Sequence, residues 1–251
     1  MIFYYSGCGN SRFIAESIAN ALNDKLIFIP EARREGVFDY NLTENEMLGF
    51  VFPIYSWRPP HLVEEFVKSL NINGKPSYVW IAVTCGDNVG ETERIFRKEL
   101  TDRGLELNAA FCFKMPNTYV NFMGMGVDSE DVANDKIAKA KRKLPSVIKM
   151  IEERMAFSDM IKGGLPRFKS NVIGKGFWRW SSDKPFFSTG DCISCGMCVK
   201  VCPLQNVTLE NGRPQWHGDC NTCDACYHHC PKHAIQYGKK TKGKGQYFFK
   251  G

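Results

Sequence analysis

The stretch Ile2-Phe3-Tyr4-Tyr5-Ser6-Gly7-Cys8-Gly9-Asn10-Ser11 decides how the first half of the chain is read. Ile2–Tyr5 is short, apolar and aromatic, which predicts a buried strand. Ser6 to Ser11 is a turn of small and hydroxyl-bearing residues. Immediately after it, Ile14, Ile18, Ala21 and Leu22 fall on one face of a helix. A strand, a tight turn and a helix in direct succession open an alternating α/β chain around a parallel sheet.

Working outward, the alternation continues for about 155 residues. Leu26–Ile29 predicts a second strand. Residues 30–46 are polar and irregular, and no helix is expected there. Met47–Phe52 predicts a third strand ending at Pro53. Pro59-Pro60 opens a helix carrying Leu62, Val63, Phe66, Val67 and Leu70. Tyr78–Val83 predicts a fourth strand, followed by a helix near 90–103, and Leu107–Lys114 a fifth. Ser129-Glu130-Asp131 starts a long helix with an N-cap residue and acids in its first turn. Leu144, Val147, Ile148, Ile151 and Met155 continue its buried stripe, and Pro145 is expected to kink or split it. The expectation is a doubly wound, five-stranded parallel sheet over residues 1–157.

The bulk numbers bound the function. The 251 residues are 43% hydrophobic and 24% charged, as in an ordinary globular protein. MIFYYSGCGN has neither the basic nor the apolar region of a signal peptide, and no apolar run is long enough to span a bilayer. Eleven cysteines without an export signal point to the reducing cytoplasm and to metal or redox chemistry. The net charge of +6 is uneven. Residues 1–157 carry 19 Lys+Arg and 21 Asp+Glu, and residues 158–251 carry 14 and 6. Anionic cofactors balance such an excess as well as a nucleic acid would. Residues 158–188 form a basic connecting segment with Phe168, Phe177, Trp178, Trp180, Phe186 and Phe187. Its aromatics are read as domain packing, and no nucleic-acid module is visible.

The last part, residues 189–251, is too small for a large core, so metal must supply much of its folding energy. It holds one motif twice: Cys192-x2-Cys195-x2-Cys198-x3-Cys202-Pro203 and Cys220-x2-Cys223-x2-Cys226-x3-Cys230-Pro231. Three cysteines three residues apart wrap one cubane, and the fourth crosses to the other cluster. Cys192, Cys195, Cys198 and Cys230 are therefore assigned to one [4Fe–4S] cluster. Cys220, Cys223, Cys226 and Cys202 are assigned to a second. Zinc knuckles close four ligands on one tetrahedron and would leave the third cysteine of each run over. His228 and His229 are expected at the surface. The tail from Gly238 is either solvated or a strap over the other domain. This segment resembles the bacterial two-cluster ferredoxins, a small α+β fold.

The loop Ser6, Gly7, Cys8, Gly9, Asn10, Ser11 fits neither a Walker loop nor G-x-G-x-x-G. It resembles the phosphate loop of flavodoxins, which implies FMN. That family usually has Thr or Ser where Cys8 stands, so the backbone amides, Ser6, Asn10 and Ser11 would carry the phosphate. Pro53, Ile54, Tyr55, Ser56 and Trp57 follow strand three; Thr84, Cys85, Gly86 and Asp87 follow strand four. The resemblance puts both loops at the isoalloxazine, with Tyr55 or Trp57 stacking on it. Met115-Pro116-Asn117-Thr118-Tyr119 covers either the flavin or the domain interface. Cys8, Cys85 and Cys112 are read as packing residues.

The whole chain resembles bacterial flavodoxin–ferredoxin fusion proteins. The resemblance implies electron transfer between FMN and two [4Fe–4S] clusters, with a redox protein such as a ferredoxin, flavoprotein or reductase as partner. Two alternatives stay open: a flavin-dependent reductase of a quinone or nitro compound, and a ferredoxin carrying a flavin-free docking domain. Donor, acceptor and oligomeric state are not read from the sequence.

Overall fold

The structure is a computed structural model that describes residues 1–251. Its elements run β1 (Ile2–Tyr4), α1 (Asn10–Leu22), β2 (Leu26–Phe28), α2 (Ile29–Glu35), β3 (Asp39–Asn41) and β4 (Met47–Pro53). Next come α3 (His61–Ser69), β5 (Asn71–Asn73), β6 (Tyr78–Cys85), α4 (Thr92–Thr101), β7 (Ala109–Lys114), α5 (Glu130–Glu152) and β8 (Phe157–Ser158). The central sheet is parallel throughout, in the order β2-β1-β4-β6-β7-β8. Without its last two-residue edge strand this is the 2-1-3-4-5 order of the flavodoxin-like doubly wound sheet. The fold class is therefore the expected one, with a sixth strand that two residues were too short to announce.

Each face of the sheet has its own core. Phe3, Phe50 and Phe52 pack with Phe66 of α3 and Phe96 of α4 on one side. Ile2, Val51, Trp80 and Phe111 pack with Ile14 and Ile18 of α1 and Leu144, Val147 and Ile151 of α5 on the other. Gly49 lies beside Trp80 in the β4–β6 register, and a Cβ there would stand 2.3 Å from the indole. The buried Trp80 thus needs a glycine as its neighbour.

Three expectations change. Residues 29–35 are helical. Pro30 sits in the first turn, Glu31 favours the N-terminal dipole, and Gly36 at φ 67° ends the helix. Two turns with three buried residues, Ile29, Pro30 and Ala32, give too short a pattern to read from sequence. Pro145 does not split α5, which runs through 23 residues. Pro145 is exposed, so water can reach the carbonyl that its missing N–H leaves free. Finally, β3 and β5 form a separate two-stranded parallel ladder, joined by side-chain amides such as Asn71 Nδ2 to Asp39 Oδ1 at 2.7 Å.

The rest of the chain adds α6 (Pro166–Phe168), a π-helical turn Lys169–Gly174, α7 (Lys175–Trp180), β9 (Phe186–Ser188) and α8 (Met197–Lys200). It ends with β10 (Val207–Glu210), β11 (Arg213–Trp216), α9 (Ala225–His228) and β12 (Ile235–Tyr237). β12 pairs with β9, and β10 with β11, both antiparallel. A third small core forms from Phe186, Val207, Tyr227, Ile235 and Tyr237. No helix is long and apolar enough to cross a membrane.

Candidate functional site

Parallel strands bring their carboxyl ends together, so the loops after β1, β4, β6 and β7 share one end of the sheet. They enclose a cavity of about 520 Å³, within the range of small-molecule and cofactor sites. Ser6, Gly7, Cys8, Asn10 and Ser11 line it, as do Pro53 to Trp57 and Thr84 to Asp87. Of the candidate residues Gly9 alone is missing. It sits at φ 93° before α1, and its N–H donates to Ser6 Oγ at 3.1 Å.

Each loop is held by specific bonds. Ser11 and Thr84 share a buried hydroxyl–hydroxyl hydrogen bond of 2.7 Å, tying the first loop to the third. Asn10 Nδ2 donates to Pro116 O at 2.9 Å, tying it to the loop after β7. In the second loop Tyr55 and Arg58 exchange two backbone hydrogen bonds, of 3.0 and 3.2 Å. The residues between them, Ser56 and Trp57, both have positive φ, 48° and 61°. This is type I′ turn geometry, which normally selects Asn-Gly. Strain of this kind persists only where the surroundings over-determine it. Ser170 Oγ donates to Trp57 O at 2.8 Å, and the Arg58 guanidinium donates to both oxygens of the buried Glu64.

Two features of the site suit an anionic cofactor with an aromatic ring. No side chain caps the thirteen-residue α1, so its first amides stay available to an anion at the end of the positive dipole. Tyr55 stands edge-on to Tyr5 and tilted against Trp178, with ring centroids 6.2 and 6.3 Å apart. Burial pushes its phenol well above the usual range, so it stays neutral. Cys8 is buried, and its thiol donates to Cys223 O at 3.4 Å rather than reaching outward. Cys85 Sγ and Cys112 Sγ touch at 3.6 Å. Cys112 lies opposite Val83 in the parallel β6–β7 register, so the two thiols meet from diagonal positions.

The cavity has a wall that the sequence did not announce. Thr222, Cys223 and Asp224 line it from the cysteine-rich part, and Phe177 from the connecting segment. A Cβ on Gly7 would lie 2.6 Å from Cys223 Cβ, so the absent side chain lets the two backbones meet. No local pattern could reveal a contact made across more than 200 residues.

The two cysteine motifs are a repeat in structure as well as in sequence, offset by 28 residues. Positive φ recurs at Ser194 and Thr222, at Gly196 and Asp224, and at Gln205 and His233. The Asn206 N–H donates to Cys202 Sγ at 3.3 Å, and its counterpart Ala234 N–H donates to Cys230 Sγ at 3.2 Å. The fourth cysteines are crossed. Cys192, Cys195, Cys198 and Cys230 line one small pocket together with Ile193, Leu209 and Ile235. Burial first, and then the neighbouring sulfurs of Cys192 and Cys230, raise the Cys198 thiol. In the second group Cys202 acts on Cys223, and Cys220 and Cys223 act on Cys226. Burial raises the Cys198, Cys202, Cys220 and Cys226 thiols and pushes Cys223 up to about 12. Sulfurs held protonated in this way ionise when metal charge compensates them, which is the donor chemistry of an iron–sulfur site.

Several contacts weld the two parts together. Asn121 Nδ2 donates to Asp224, whose carboxyl burial pushes up to about 7. His228 is not at the surface. It is 1% exposed, bonds Thr118 O through Nε2 at 2.7 Å, and accepts the Tyr247 N–H at Nδ1. Burial holds it down at about 4, so it is a neutral interface residue. Spacing alone could not place it, because the second motif is the one facing the sheet. The tail is a strap: Phe249 N–H donates to Cys8 O at 2.8 Å, and the Phe249 ring packs on Phe13. Its Tyr247 hydroxyl also meets Asn10 Oδ1 at 3.1 Å.

Residues 191–235 match the family of the 4Fe-4S dicluster domain. No curated protein sequence matches the chain. Among solved structures it is similar to the Trp repressor binding protein from Bacillus subtilis, at 12% identity and a TM-score of 0.40, over 60% of this chain and 97% of that one. It is similar to rubredoxin oxygen:oxidoreductase from Desulfovibrio gigas, at 14% identity and a TM-score of 0.31, over 58% and 35%. A third is the azoreductase from Bacillus anthracis, at 10% identity and a TM-score of 0.32, over 61% and 96%. Likeness at these scores carries no argument about activity, and the fold assignment rests on the strand order. The chain joins an iron–sulfur region of the 4Fe-4S dicluster type to a sheet of flavodoxin-like topology.

Proposed function

We propose that this protein transfers electrons between an FMN in the sheet-end cavity and two [4Fe–4S] clusters, as a flavodoxin–ferredoxin fusion. One observation carries the reading. Cys223, a ligand in the second cluster set, is also a wall of the cavity, so flavin and cluster would be neighbours. When bound, a flavin exchanges two electrons singly or together, and each cluster exchanges one.

The chain's own residues supply binding, orientation and water exclusion. The amides opening α1, with Ser6 and Asn10, would hold the phosphate. Thr84 to Gly86 would donate to the polar edge of the ring, and Tyr55 or Trp57 would stack on it. Phe177, Cys223 and Asp224 close the cavity. The segment 158–188 would then be a prop rather than a linker, since Ser170 bonds both Trp57 O and Glu91 N–H. Cys195 is exposed and Ile193 is 57% exposed, so the first cluster is the one a redox partner would meet.

The test is a preparation made without oxygen, with iron, sulfide and acid-released flavin measured per chain. About eight irons and about one FMN are expected. Cys195→Ser should cost one cluster and leave the flavin. Iron far below eight after reconstitution sinks the two-cluster part. Eight irons with no FMN at stoichiometric addition would instead favour the flavin-free docking domain.

A further inference from the structure

The aromatics of the connecting segment divide into two groups. Phe177 packs against Tyr119 at 5.9 Å, Trp178 against Tyr55 at 6.3 Å and His61 at 5.8 Å, and Phe186 against Trp216 at 5.4 Å. Phe168 and Trp180 point outward, 53% and 82% exposed. The helix that carries them explains the division. α6, the π-helical turn and α7 form one rod, because Phe168, Lys169, Gly174 and Lys175 at the junctions all keep right-handed helical backbone. Its inner face is seated on the second cavity loop. Ser170 and Gly174, one turn apart, are buried, and a Cβ on Gly174 would stand 2.6 Å from Ser56 O.

The outer face is apolar and basic together. Leu165, Phe168 and Val172 are spaced three and four residues apart, which lines them up along one side, and each is more than half exposed. Gly176 continues the line one turn later, and the Trp180 ring folds back over it: a Cβ there would stand 2.8 Å from the indole. Single exposed apolar residues are common, but four in one strip make a patch that calls for a covering surface. Around it, residues 160–182 hold Lys162, Arg167, Lys169, Lys175 and Arg179 and no Asp or Glu. Lys162 lies 3.8 Å from Glu91, and Lys169 lies over the Trp57 ring. Arg167, Lys175 and Arg179 are exposed and take part in no salt bridge.

We propose that the outer face of the 165–180 helix docks the protein onto the surface of an anionic membrane. Leu165, Phe168, Val172 and Trp180 would enter the interface, and Arg167, Lys175 and Arg179 would meet lipid phosphates. Trp, Phe and Leu set among Lys and Arg on one helix are what lies in the plane of a bilayer surface. An acidic protein could also satisfy the cations, but it would need a matching pocket for each large apolar side chain. A lipid interface takes both kinds of group without matched shape. The helix is too short and too charged to span, which agrees with a chain that lies on the bilayer rather than in it. Docking would set the lipid surface one helix away from Ser56 and Trp57. The surface stands independently of the cofactors proposed above.

The test is sedimentation of the reconstituted full-length protein with vesicles of phosphatidylcholine alone, or with about 30% phosphatidylglycerol added. The protein should partition to the anionic vesicles and leave them when salt rises from ~0.1 to ~0.5 M. Each Lys or Arg near an anionic surface is worth about a fivefold change in binding. Arg167→Glu with Lys175→Glu and Arg179→Glu should therefore weaken partition by ~100-fold or more. Leu165→Ser with Trp180→Ser should weaken it about tenfold or more. Both variants should keep the parent's iron content, since the changed side chains are exposed. The second variant decides the matter if the first loses iron. A parent that stays in solution, binds both vesicles equally, or binds as well in either variant would overturn the proposal. So would a stable dimer that Leu165→Ser with Trp180→Ser dissolves, because a second copy would then cover the face.

Discussion

Replacing Arg58 by Met should weaken both the fold and the proposed flavin site. The Arg58 guanidinium reaches Glu64 Oε1 through Nε at 3.2 Å and through Nη2 at 2.9 Å, and Oε2 through Nη2 at 3.1 Å. The side chains are 9% and 6% exposed, so water cannot replace the lost partner. Removing one member of such a buried pair costs about 3–5 kcal/mol, mostly from the charge left behind. With a urea dependence of roughly 2 kcal/mol/M, the unfolding midpoint should fall by about 2 M. The pair also braces the turn at Ser56 and Trp57, so FMN affinity should fall in parallel. The assay is urea unfolding followed by circular dichroism, paired with flavin fluorescence titration. The double variant Arg58→Met with Glu64→Leu should recover most of the stability, since apolar replacement of a whole buried pair is tolerated. A single variant within about 0.5 kcal/mol of the parent, or a double no better than the single, would refute the reasoning.

Cys8→Thr should change the FMN dissociation constant by less than about threefold, because position 8 is committed to the Cys223 carbonyl; flavin fluorescence measures it, and a larger tightening would contradict that assignment. Tyr78→Phe removes a 2.6 Å hydrogen bond to Met155 O and should cost about 1 kcal/mol at neutral pH. Burial pushes the Tyr78 phenol up to about 12, against ~10 in the unfolded chain, so its contribution is whole below pH ~10 and drains away as pH rises toward 12. The stability gap between parent and variant should therefore hold steady from pH 8 to about 10 and narrow from there toward 12, and a gap constant up to pH ~12 would contradict it.

What was legible in the sequence was what is local. A buried strand such as Tyr78–Cys85 announces itself because every one of its residues is buried. The cysteine motifs were legible because cubane geometry demands one spacing. The loops lining the cavity followed from the chirality and parallel order of the sheet, which put every strand's carboxyl end on one side. What stayed hidden was decided by distant partners. Asp224 looks like a surface acid until Asn121 buries it. His228 looks like a bystander until Thr118 and Tyr247 take both its nitrogens. The turn at Ser56 and Trp57 carries no Asn-Gly signal, because Ser170 and the Arg58–Glu64 pair hold it from outside.

The contact of Gly7 with Cys223 makes the two halves poor modules. A free ferredoxin grafted onto this sheet would arrive without the residues that seat it, and a side chain at position 7 would block it. On the proposed function, the same contact links two cofactors. If Cys220 to Cys230 hold a cluster as proposed, its loss would unsettle the segment it shapes, and with it the cavity wall at Thr222 to Asp224. On that function, loss of the metal would then loosen the flavin as well, so the two cofactors would be lost together rather than one at a time.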